Sequence, residues 1–138
     1  MTAARIVALD SGTHRVGVAV SDPIGLTAQP VTVLRRGPGF IADLKGLLGE
    51  WEVATIVVGL PVGLDGREGA AAEAARSLAA EVFAATGIDT VLYDERFSTV
   101  VAERAMIAGG ARRERRRLRR DAVAAAVFLQ DYLDGRRR

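Results

Sequence analysis

The 138 residues suit one domain, and with 49% hydrophobic residues the chain can bury a core. It has no cysteine, which excludes disulfides, thiolate metal sites and a cysteine nucleophile and accords with a reducing compartment. The net charge is only +2, but it is unevenly spread: residues 1–110 carry 9 Lys/Arg against 13 Asp/Glu, and residues 111–138 carry 10 against 4. A basic C-terminal segment on an otherwise acidic chain points to a polyanion as partner; the plainer reading is a solvated charged helix face. The opening MTAARIVALD lacks the apolar segment of a signal peptide. The longest uncharged central run, VATIVVGLPVGL, is too short for a bilayer and holds a proline. The expectation is a soluble cytoplasmic protein, residues 1–138 forming one domain with a frayed tail at 136–138.

Three β signals open the chain: RIVALD (5–10), RVGVAVS (15–21) and QPVTVL (29–34). The links between them are short, which predicts antiparallel neighbours in a β-meander. FIADLKGLLGEW (40–51) then places Ile41, Leu44, Leu47, Leu48 and Trp51 at helical spacing. ATIVVG (54–59) is an unbroken apolar run, as expected of a strand covered on both faces. A loop with a turn at Asp65-Gly66 leads to an alanine-rich helix over 70–86, stopped by Gly87. TVLY (90–93) predicts a further strand, followed at once by Asp94-Glu95-Arg96. Ser98 or Thr99 can cap a helix over 100–108, which Gly109-Gly110 ends. The arginine run 112–120 follows, and a last helix is predicted over 118–133, with Ala122, Ala125, Ala126, Leu129 and Leu133 on one face. Small residues there would let this helix lie close to a sheet. The order β-β-β-α-β-α-β-α-α gives an α/β fold: a mixed sheet with helices on both faces.

In open α/β sheets, ligands sit at the carboxyl ends of strands. The first strand ends at Asp10, the last predicted strand at Asp94-Glu95, and Asp121 opens the predicted final helix. Each acid has a structural reading of its own: a turn cap for Asp10, pairing with Arg96 or Arg104 for Glu95, a favourable helix-start charge for Asp121. Taken together, three carboxylates at element ends suggest a cluster that a divalent cation would neutralise. With no cysteine and one histidine, the oxygen donors favour Mg²⁺ or Mn²⁺ over zinc. Such ions activate water and stabilise the leaving oxygen of a phosphodiester.

The blocks IVALDSGTHRVGVAVSDPIGLTAQP, VVGLPVGLDGREG, YDERFST and DAVAAAVFLQDYL, in this order, resemble the YqgF family, also called RuvX. Its members carry the names Holliday junction resolvase and pre-16S ribosomal RNA nuclease. The resemblance covers nearly the whole chain. It implies an RNase H-like fold with a five-stranded mixed sheet in the order 3-2-1-4-5. It also implies that Asp10, Glu95 and Asp121 are the catalytic, metal-holding acids, and that Arg15 and Arg96 contact phosphate. Arg112, Arg113, Arg116 and Arg120 extend that phosphate-binding surface. Two positions depart from the family pattern: Ser11 replaces an aromatic, and His14 replaces a lysine and so weakens the charge near the first acid.

The expected function is therefore divalent-metal-dependent hydrolysis of nucleic-acid phosphodiesters, with the 5′ end of precursor 16S ribosomal RNA favoured as substrate and four-way DNA as the alternative. Cutting a symmetric junction would want a dimer; no dimer seam stands out, and monomer or homodimer stays open. Two readings of other classes remain: a non-catalytic nucleic-acid-binding factor in transcription or ribosome maturation, and the phosphate loop of a sugar-kinase-like ATPase, suggested by Asp-x-Gly-Thr at 10–13. The second needs two such domains, more chain than 138 residues supply.

Overall fold

The computed structural model describes residues 4–12, 14–61, 66–94 and 113–136, with the backbone alone for 113–120. Its elements are β1 (Arg5–Ser11), β2 (Arg15–Ser21), β3 (Ala28–Arg35), α1 (Phe40–Leu48), β4 (Val53–Leu60), α2 (Ala70–Thr86), β5 (Asp89–Asp94) and α3 (Arg113–Arg136). The five strands form one sheet in the order β3-β2-β1-β4-β5. The β1–β2 and β2–β3 pairs are antiparallel, as their short links require, and β1–β4 and β4–β5 are parallel. Pro30 lies on β3, an edge strand where a missing N–H is tolerated, next to the register shift at Val18/Ala19.

Strand alternation divides the core into two layers. Val7, Leu9, Val16, Val18, Ile56 and Val58 face α1 and α2, where Phe40, Leu44, Leu78 and Val82 meet them. Ile6, Ala8, Ala19 and Val57 face α3, against Ala125, Ala126, Phe128, Leu129 and Leu133. Both faces of β1 are thus covered, which is why its sequence is apolar without alternation.

Helix ends follow local chemistry. Gly87 ends α2 in the left-handed region (φ 69°), with its N–H donating to the Phe83 carbonyl at 2.8 Å. At the other end of α2, Arg76 donates two 2.8 Å bonds to Glu68, and this pairing holds the Glu68 carboxyl below its usual range. The predicted extension of α1 to Trp51 is not realised: beyond Leu48 the chain tightens into i+3 bonds, from Glu50 N to Leu47 O and from Trp51 N to Leu48 O.

The last helix needs a larger correction. It does not start at residue 118 but at Arg113, and runs to Arg136. Arginine and leucine are strong helix formers, and no glycine or proline lies between 113 and 134 to stop it. Asp121 is therefore interior to α3, and the helix-start reading of its charge falls. The expected helix over 100–108, with its Ser98/Thr99 cap, and Asp65 of the expected turn lie outside the described residues.

Polar bonds hold α3 to the rest. Gln130 accepts from the Ala28 N–H at 3.0 Å and donates to the Leu26 carbonyl at 2.9 Å, and the Tyr93 hydroxyl donates to Asp131. In the β2–β3 loop the Asp22 carboxyl lies below its usual range: partial desolvation pushes it up, and donation from the Leu26, Thr27 and Gly25 amides and the Thr27 hydroxyl outweighs that. No helix among the described residues is long and apolar enough to cross a membrane.

Phe128 is fully buried under α3, with its ring stacked on Tyr93 at 6.3 Å. Phe128→Ala is expected to cost about 3–5 kcal/mol in urea denaturation. A loss under about 1 kcal/mol would mean that this layer is not a close-packed core.

Candidate active site

Asp10 stands near the carboxyl end of β1, two residues beyond Ala8 and four beyond Ile6, which places it on the α3 side of the sheet. Its partner in the antiparallel register is Gly17 of β2. Directly opposed residues share a face, so position 17 also looks toward α3. A Cβ there would lie 2.1 Å from the Asp121 carbonyl oxygen, 2.4 Å from its carbon and 3.0 Å from the Ala122 nitrogen. The α3 backbone at Asp121 therefore rests directly on the strand beside Asp10. Only glycine leaves room for that approach.

Arg15 lies two residues before Gly17 on the same face, and its Nε is 3.9 Å from Asp121 Oδ2. Both side chains stay about a third or a quarter exposed (31% and 26%), so the contact is a loose, solvent-screened pairing that orients the two groups more than it stabilises the fold. Two of the three predicted acids, with the predicted Arg15, thus meet at one end of the sheet. Glu95, Arg96 and Arg112 lie outside the described residues. Among the described residues no three of His, Asp and Glu gather closely enough to hold a metal. Arg113, Arg116 and Arg120 fall on the first turns of α3, spaced i, i+3, i+7, which aligns them along one side of the helix. The eight residues from Arg113 to Asp121 carry α3 about 12 Å beyond Asp121.

The structure adds Arg35 and Arg36, which the sequence reading missed. An open cleft of about 410 Å³ is lined by His14, Arg15, Arg35 and Arg36. The hairpin beside it is closed by Gly12 N donating to Arg15 O at 2.7 Å, and Arg36 N donates to His14 O at 2.8 Å. Arg36 sends its Nη2 to Glu81 at 2.6 Å and its guanidinium over the Phe40 ring at 5.0 Å. The signal for Arg35 was present: in a β-meander the end of the third strand returns beside the start of the second, where Arg15 lies.

A mixed sheet in the order 3-2-1-4-5, with an acid closing the first strand and another on a helix packed over it, is the architecture of the RNase H-like proteins. Thermus thermophilus RuvC, solved in complex with a Holliday junction substrate, shares this fold with a TM-score of 0.58 at 18% identity, over 97% of this chain and 96% of its own. The RuvX family, described as Holliday junction resolvase, matches residues 4–135. A protein of Anaeromyxobacter sp. named "Putative pre-16S rRNA nuclease" is 46% identical over 96% of this chain and 98% of its own length. One of the same name from Geobacillus kaustophilus is 44% identical over 96% and 99%. The chain belongs to the RuvX (YqgF) family, a family of nucleases, and so of phosphodiester hydrolases.

Gly17→Ala is expected to force α3 off the sheet at Asp121, since the obstacle is backbone that cannot rotate away. The expected cost is about 1–3 kcal/mol by urea denaturation. Unchanged stability would show that the helix yields freely at this point.

Proposed function

We propose that the chain hydrolyses nucleic-acid phosphodiesters with a divalent ion, and that it acts in maturing the 5′ end of precursor 16S ribosomal RNA. The observation that carries the reading is the seating of Asp121 on Gly17, the register partner of Asp10. It brings two acids far apart in sequence to one sheet end, beside Arg15. Glu95, the first residue after β5, is the third acid of the proposed set.

The donor set suits Mg²⁺ or Mn²⁺: carboxylate oxygens with no thiolate, in a chain with a single histidine. Asp10, Glu95 and Asp121 would hold the ion, which when bound supplies Lewis-acid stabilisation at phosphorus and a more acidic water. Arg15 orients Asp121 and faces an incoming phosphate. Arg96, Arg112, Arg113, Arg116 and Arg120 bind backbone phosphates on the approach, which gives affinity and salt dependence with little sequence choice.

RNA is preferred over branched DNA because relatives above 40% identity carry the ribosomal RNA name, whereas the junction-bound neighbour is 18% identical. Such a substrate would place the protein in the cytoplasm. The whole chain would act as one nuclease domain, whether as monomer or homodimer.

The test is cleavage of end-labelled precursor 16S RNA, single-stranded RNA and a four-way DNA junction in Mn²⁺ or Mg²⁺. Asp121→Asn is expected to lower the rate by more than about 100-fold, beyond the loss typical of a residue that merely supports a metal ligand. Its RNA affinity should stay within a few-fold. Equal cleavage by the two proteins would remove Asp121 from the catalytic set, and none by either would leave a nucleic-acid-binding factor as the better reading; symmetric cutting of the junction alone would favour the resolvase.

A further inference from the structure

We propose that the cleft between the start of β2 and the end of β3 is a second phosphate subsite, in which Arg35 holds a backbone phosphate of the substrate at a distance from the scissile bond. The inference rests on the nuclease reading above and extends it along the strand.

Arg15 and Arg35 are register partners in the antiparallel β2–β3 pair, so both project toward the α3 side of the sheet. Like charges directly opposed on neighbouring strands destabilise a sheet. Arg15 meets Asp121, and Arg36 is engaged by Glu81 and Phe40. Among the described residues Arg35 is paired with no carboxylate, and no acid is among the four residues that line the cleft. The charge there is unbalanced, and an anion entering the cleft would offset the repulsion.

Continuity identifies the anion. Arg15 borders both the cleft and Asp121, so a ligand in the cleft is an extension of whatever occupies the active site. For a nuclease that is the sugar-phosphate strand. From Asp10 on β1 to Arg35 on β3 is two strand spacings across and two residues along, about 12 Å between backbones. At that distance Arg35 cannot hold the reacting phosphate itself and stands by one farther along the strand. The path crosses the sheet from β1 through Arg15 on β2 to the β3 edge. It needs no contact with a base, so it favours no sequence.

The experiment measures RNA affinity against salt for the full chain and for Arg35→Ala and Arg35→Lys, with EDTA present so that nothing is cut. Arg35→Ala is expected to flatten the plot of log affinity against log salt by about 0.7–0.9 unit, one phosphate contact, and Arg35→Lys to restore it. With metal added, the loss in Arg35→Ala should fall on KM for RNA more than on kcat. On substrates trimmed to one nucleotide from the cut, the affinity penalty should vanish. An unchanged salt slope in Arg35→Ala, or a penalty that persists on the trimmed substrates, would overturn the subsite. A chain that shows the Arg35-dependent slope but cuts nothing would sink the nuclease reading and leave the subsite standing.

Discussion

The structure turns on a backbone-to-backbone contact. At Gly17 the sheet offers no side chain, and α3 comes so close that even a methyl group would overlap the Asp121 carbonyl. Helices usually rest on sheets through a layer of side chains, and the alanines of α3 thin that layer along its length. At Gly17 it disappears. The approach cannot be adjusted gradually, because neither strand nor helix backbone has a rotamer to change. The position of Asp121 relative to Asp10 is therefore fixed by packing and not by the weak Arg15 contact.

This constraint explains the contrast between the two faces. The α1/α2 side is filled with Phe40, leucines, valines and Ile56, the usual means of burying area with bulk. The α3 side uses Ala8, Ala19, Ala125 and Ala126 near the site and keeps its bulk, Phe128, Leu129 and Leu133, farther along the helix. Gln130, bonded to the Ala28 amide and the Leu26 carbonyl, and Asp131, bonded to the Tyr93 hydroxyl, fix the far half of α3. The near half is then free to serve the site with small residues. A helix held at its far end and seated on glycine at its middle carries the arginine run on the turns before Asp121.

Much of this was legible in the sequence because it is local. Apolar runs and short links defined the meander, Gly87 marked the end of α2, and the alanine face of α3 announced a close approach. The acids Asp10 and Asp121 were placed by the rule that sites gather at strand ends, and the fold brings them together. What failed was the reading of charge as a boundary. A dense arginine run looks like surface, and Asp121 after it looks like a helix start, yet helix propensity carries α3 straight through. Arg35 escaped notice for another reason. Its meaning depends on a register, the pairing with Arg15 across twenty residues, and registers are settled by the whole hairpin and not by any short window.

The placement of charge across the sheet has a consequence for how a polyanion and a cation share the site. Asp10 faces α3 at the centre of the sheet, Asp121 of α3 rests on the neighbouring strand, and Arg15 and Arg35 face the same side toward the β3 edge. Acids alone would repel a phosphate, and arginines alone would bind one without reacting it. Set side by side across neighbouring strands, each set needs the ligand that the other repels: a cation for the carboxylates, phosphates for the guanidiniums. The loose 3.9 Å contact between Arg15 and Asp121 lets the two groups partly satisfy each other. Binding of the proposed metal and strand would exchange that screened pair for two stronger ones. On the proposed reading, metal and strand would then help each other to bind, and removing either partner of the pair would weaken the binding of its own ligand first.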